Sequence, residues 1–172
     1  MAFAYSIEDQ QRLYFLTFTV AQWVDVFSCK DYATIILGSL RHCQQEKGLE
    51  IYGWIIMSNH IHLLARCRTG HNMSVFLRDF KKFTAKNIVA AIEANPQESR
   101  KGWLLWLLRK EGSIEFWQAD NHAELVFSKA FFDQNLNYIH QNPVQAGYVH
   151  FAEDWAWSSA ASKELVLAYW YE

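Results

Sequence analysis

Two histidines one residue apart, His60 and His62 in Ser58-Asn59-His60-Ile61-His62-Leu63-Leu64, open an apolar run. In an extended strand alternate side chains share a face, so both imidazoles project to one side while Ile61, Leu63 and Ala65 project to the other. That pattern offers two nitrogen ligands to a divalent metal and still keeps a hydrophobic face for the core. It also fits a strand whose histidines make only ordinary hydrogen bonds, so the chemical reading needs a second element. One is found in Leu136-Asn137-Tyr138-Ile139-His140-Gln141-Asn142-Pro143-Val144-Gln145-Ala146-Gly147. On a helix Tyr138 and Asn142, four apart, share a face. The amide oxygen of Asn142 can then complete a His, His, oxygen set for Mg²⁺ or Mn²⁺ with the phenol beside it. His140, about 100° around the helix from Tyr138, does not read as a ligand.

Strands and helices must bring these residues together. Residues 12–20 are rich in aromatic and β-branched side chains on both faces, which predicts a central strand. Apolar residues at spacings of three and four predict a helix over 27–46, with Gly48 placed to stop it. Strands over 49–57 and 60–67 follow, joined by a tight turn at Ser58-Asn59. Residues 72–92 form an amphipathic helix capped by Asn72 or Ser74. Residues 103–108 fit a short helix or an inserted strand, and strands are expected over 113–117 and 125–127. A last helix over 130–141 should end at Asn142-Pro143, because the residue before proline is pushed out of the α region. The order strand, helix, two strands, helix, strand predicts an α+β fold: a ferredoxin-like antiparallel sheet backed by two helices, plus a C-terminal tyrosine-bearing helix and an aromatic tail.

The length of 172 residues predicts one domain over residues 1–172. No apolar run approaches the roughly 18 to 20 residues that span a bilayer, and the N-terminus shows no secretory signal, so no membrane partner and a cytoplasmic location are expected. Cys29, Cys43 and Cys67 lack C-x-x-C spacing, which argues for reduced thiols rather than a disulfide framework or structural zinc. The formal charge of −2 hides an uneven distribution. Residues 66–110 hold ten basic and three acidic side chains, whereas 111–172 hold two and nine. Arg66, Arg68, Arg78, Lys81, Lys82 and Lys86 in that basic stretch are candidate phosphate contacts, set against the usual role of such charges as the solvated face of a helix.

The two separated motifs, followed by Trp157-Ser158-Ser159, resemble those of the REP-associated tyrosine transposases, within the wider class of single-tyrosine HUH transposases. The resemblance runs over residues 12–159. It implies cleavage and rejoining of single-stranded or hairpin DNA, with REP-like palindromes as partners and a 5′-phosphotyrosine intermediate. Tyr138 matches the nucleophile, His60 and His62 match the metal ligands, and Asn142 matches the position of a third. This chain carries Ser58 where the family usually has proline and Gln145 where many members have arginine. Relatives act as monomers or as homodimers, and the sequence favours neither. Two rival functions remain: a non-catalytic DNA-hairpin-binding protein derived from such an enzyme, and a His-x-His metal hydrolase acting on a small substrate.

Overall fold

In the computed structural model, which describes residues 6–120 and 122–170, the first strand β1 (Tyr14–Thr19) is apolar on both faces and takes a central place in the sheet. Residues 1–5 and 171–172, on which parts of the signal-peptide and aromatic-tail expectations fall, lie outside the described residues, as does Asn121. Helix α1 (Lys30–Glu46) leads to β2 (Leu49–Ile56), β3 (His60–Cys67) and α2 (Met73–Ala94). Then come α3 (Lys101–Leu108), a small hairpin of β4 (Arg109–Lys110) and β5 (Ser113–Ile114), β6 (His122–Leu125) and α4 (Lys129–Gln145). The main sheet has the order β2-β3-β1-β6 with every pair antiparallel, which is the ferredoxin-like arrangement that the element order implies.

Each face of the sheet buries its own cluster. Leu16, Phe18, Trp54, Ile61 and Leu63 face α1 and α2, where Ile36, Leu40, Phe76, Phe80 and Ile88 close the larger core. Phe15, Tyr52, Ile55 and Leu64 face the other way, against Phe132 and Ile139 of α4. Both faces being covered explains why β1 and β2 read as nearly continuous apolar runs rather than as alternating ones. In β2 the register shifts between Ile51 and Gly53, leaving Tyr52 as an extra residue, so the inward set changes parity along one strand. Gly53 sits where α4 comes closest: a Cβ there would lie 2.5 Å from Leu136 Cδ1. The outer edge of β2 is covered by the tail, with Ile56 N–H donating to Trp157 O at 2.8 Å and Ala168 N–H to Ile51 O at 2.8 Å.

Several local expectations need correction. The helix expected over 27–46 starts at Lys30, because Val26–Ser28 forms a separate 3₁₀ turn. Asn72, not Ser74, caps α2, its side chain accepting from Val75 N–H. Residues 103–108 are helical. The strand expected over 113–117 is only the short arm of the small hairpin, and the fourth sheet strand is His122–Leu125, ahead of the expected 125–127. The last helix does not end at Asn142-Pro143 but runs through it to Gln145. Pro143 is buried on the same stripe as Phe132, Asn135 and Ile139, and packing there outweighs the local bias of the residue before proline. The helix stops one turn later in a Schellman motif: Gly147 has φ 80°, its N–H donates to Val144 O, and Tyr148 N–H donates to Pro143 O, both at 3.0 Å.

Candidate active site

The histidine face of β3 is the face that α4 covers. His60 pairs with Thr19 and His62 with Thr17 across β1, and His62 pairs with Ile55 across β2. The two imidazole centroids stand 4.8 Å apart with their planes at 71°. His62 is 5% exposed. Burial, followed by the nearby charge of His60, pushes it down to about 3, and burial also lowers His60. Both rings are therefore neutral near pH 7, the state in which an imidazole binds metal.

Neighbouring groups fix which nitrogen is presented. Asn59 Nδ2 donates to Trp23 O at 3.2 Å, which leaves Asn59 Oδ1 as the acceptor for His60 Nδ1, 2.7 Å away. His60 thus carries its proton on Nδ1 and keeps the lone pair of Nε2. His62 Nδ1 is 2.9 Å from Thr17 Oγ1, and its Nε2 is the nitrogen left over. Two orienting partners acting on the Nδ1 side are what a pair of ligand histidines requires. Sequence reading missed both, although Asn59 directly precedes His60 and Thr17 lies at an alternate position of the first strand.

Tyr138 comes down on this pair from α4, whose N-terminus is capped by Ser128 accepting from Phe131 N–H. The Tyr138 ring lies 5.4 Å from His62 and 6.0 Å from Phe15, edge-on to both, and Phe15 in turn stacks on His62 at 5.1 Å. Tyr138 remains 46% exposed. The tyrosine and the histidines meet within one chain. Asn142 is half-buried one helical turn beyond Tyr138, and the continuation of α4 past it preserves their common face. Among the described residues no group of three or more His, Cys, Asp or Glu converges. A metal here would take two imidazoles from the protein and complete its shell with amide, water or substrate oxygens, a mixed N and O donor set that fits Mg²⁺ or Mn²⁺ better than a closed structural site.

His140 has a different task. Its Nε2 is 2.7 Å from Ser159 Oγ, and Ser159 is tied to β2 by Trp54 N–H donating to its Oγ at 3.1 Å and by its own N–H donating to Trp54 O at 2.9 Å. Burial lowers His140. Together with Leu136 over Gly53, this clamp sets the position of α4 on β2.

The turn that starts β3 is held by the segment after β1. Val20 N–H donates to Asn59 O at 2.9 Å, Phe27 N–H to Ser58 O at 2.8 Å, and Ser58 Oγ to Asp25 Oδ1 at 2.8 Å. The hydroxyl of Ser58 thus supplies a bond that a proline could not. In this segment Gln22 and Trp23 have φ of 58° and 52°, a left-handed conformation that costs non-glycine residues about 1 kcal/mol or more each.

The structure does not draw the basic residues onto the histidine pair. Arg66 pairs with Glu50 and lies 5.9 Å over the Tyr52 ring, and Arg68 approaches Glu50 at 3.9 Å. Arg78 pairs with Asp79 at 2.9 Å, and Lys81 is half-buried over Phe18. Lys82 and Lys86 are exposed. These four belong to α2, on the opposite face of the sheet from α4.

With this geometry in view, comparisons with known proteins give a consistent picture. The sequence profile of the family described as "Transposase IS200 like" matches residues 12–109, a range that includes His60 and His62 and ends before α4. A solved structure described as a REP-associated tyrosine transposase bound to a REP hairpin superposes with a TM-score of 0.70 at 17% identity, covering 92% of this chain and 82% of that one. A transposase candidate from Deinococcus radiodurans R1 superposes at 0.49 and 19% identity, over 81% of this chain and 94% of that one. No curated protein matches the chain.

Proposed function

Because the chain belongs to the IS200-like transposase family, we propose that it cleaves and rejoins single-stranded or hairpin DNA through a covalent 5′-phosphotyrosine at Tyr138. The observation that carries this reading is the approach of the Tyr138 ring to within 5.4 Å of His62, whose neighbour His60 is 4.8 Å further on. The description of the fold relative as bound to a REP hairpin supports DNA, and a folded-back single strand in particular, as substrate.

In this mechanism the Tyr138 hydroxyl loses its proton to solvent water and attacks the scissile phosphorus. The new phosphorus–Oη bond forms as the bond to the 3′ oxygen breaks, and that oxygen takes up a proton to leave as a 3′-hydroxyl. Rejoining runs the same step backwards, so the bond energy is conserved and no ATP is needed. A phenol is a weak nucleophile at neutral pH and a phosphodiester is anionic, so placement matters most. Phe15 and His62, themselves stacked, together support one side of the ring, and α4 is clamped at Gly53 and Ser159. His60, His62 and Asn142 would hold Mg²⁺ or Mn²⁺, which when bound supplies charge neutralisation at a phosphate oxygen. The neutral state of the histidines, and the Nε2 that the Nδ1 partners leave over on each, are what this chain contributes to that.

The test is a labelled stem-loop or single-stranded oligonucleotide incubated with Mn²⁺. A protease-sensitive covalent adduct, absent in Tyr138→Phe, is expected. Cleavage without an adduct points instead to a His-x-His hydrolase, and binding without cleavage to a DNA-hairpin-binding descendant.

A further inference from the structure

We infer that Trp23 is a stacking platform for a nucleobase beside the cleaved phosphate, an inference that rests on the DNA reading above. Among the described residues only Gln22, Trp23 and Glu111 are non-glycine residues with positive φ. Glu111 precedes Gly112 in the two-residue turn of the small hairpin, where that conformation is ordinary. Gln22 and Trp23 have no such excuse: they are consecutive, lie in the short Ala21–Trp23 turn, and join no hairpin.

The surrounding bonds hold this conformation and tie its backbone to the turn that starts β3. The Trp23 carbonyl accepts from Asn59 Nδ2 at 3.2 Å, and Asn59 Oδ1 accepts from His60 Nδ1 at 2.7 Å, so a single side chain separates Trp23 from a candidate ligand. The bonds of Val20, Asp25 and Phe27 to the Ser58-Asn59 turn keep the segment from relaxing. With its backbone held this way, one side chain from His60, Trp23 is left 66% exposed. Trp103 and Trp106 of α3 are exposed as well, and Trp23 is the exposed tryptophan whose carbonyl bonds the neighbour of His60. A strained backbone that keeps an indole in water, one side chain from a candidate ligand, matches the need of single-strand binding, in which any base stacks on an aromatic face. The backbone of the substrate is then handled by the histidine face and an adjoining base by the indole.

The experiment compares binding of fluorescein-labelled oligo(dT) with that of an abasic strand of equal length and charge. Trp23→Ala is expected to weaken oligo(dT) binding about tenfold and to leave the abasic strand unchanged, and Trp23→Phe is expected to recover most of the loss. An equal loss on both strands, or none on either, overturns the inference while the DNA reading stands. Wild-type protein that binds neither strand overturns the inference, and wild-type protein that binds no stem-loop either overturns the DNA reading as well.

Discussion

Burial keeps both His60 and His62 neutral, and different partners leave Nε2 over on each: Asn59, whose own orientation is fixed by Trp23 O, on His60, and Thr17 on His62. A strand with two histidines does not by itself imply this, since an imidazole protonated on the other nitrogen presents no lone pair outward. If the pair is the metal site, His60→Ala should lower adduct formation by about 100-fold or more and leave hairpin affinity, measured by anisotropy, nearly unchanged. Unchanged cleavage in that variant would sink the metal assignment. The burial of His62 also has a consequence in metal-free protein. Its folded-state pKa of about 3 lies below the ordinary 6.5, so beneath pH 6.5 the unfolded chain takes up a proton that the folded chain refuses. Stability is then independent of this group above pH 6.5 and falls by about 1.4 kcal/mol per pH unit below it. Urea unfolding should show wild type losing about 2 kcal/mol more than His62→Gln between pH 6.5 and 5; equal slopes would mean that the imidazole is not held neutral.

At the scale of elements, the site depends on how α4 is seated against β2. Leu136 occupies the space that a side chain at residue 53 would need, and His140 grips Ser159. Gly53→Ala should therefore destabilise the protein by about 1 to 3 kcal/mol, and adding Leu136→Ala to it should cost less than the two changes made separately. Additive losses in denaturant titrations would mean that the contact is loose. Much of this arrangement was legible in the sequence: alternation put His60 and His62 together, and the order of elements gave the sheet. Two things were not. The end of α4 was misread because the local effect of Pro143 is visible in sequence, whereas its burial beside Ile139 depends on the whole fold. The segment of residues 20–27 has no periodicity to read, yet it shapes the turn from which His60 emerges.

Over the whole molecule, the charge pattern and the site separate. The basic stretch is largely tied up in pairs: Arg66 with Glu50, Arg78 with Asp79, Arg100 with Glu98 and Arg109 with Glu93. The basic helix α2 lies across the sheet from the tyrosine helix. No helix among the described residues is long and apolar enough to cross a membrane. In this account Lys82 and Lys86 serve affinity and not chemistry. Replacing both with alanine should make the slope of log affinity against log salt shallower by about 0.7 per lysine without changing the rate of adduct formation at saturating DNA. A slope that stays the same would return these lysines to the ordinary solvated face of a helix.

The central claim is that Tyr138 takes the 5′ phosphate. Mass spectrometry of the protease-digested adduct, formed with a labelled oligonucleotide and Mn²⁺, tests it most directly. The account predicts the nucleotide remnant on the α4 peptide, fragmenting at Tyr138 with the strand joined through its 5′ phosphate. A remnant on any other residue, or DNA cleaved with no attached peptide, would contradict it.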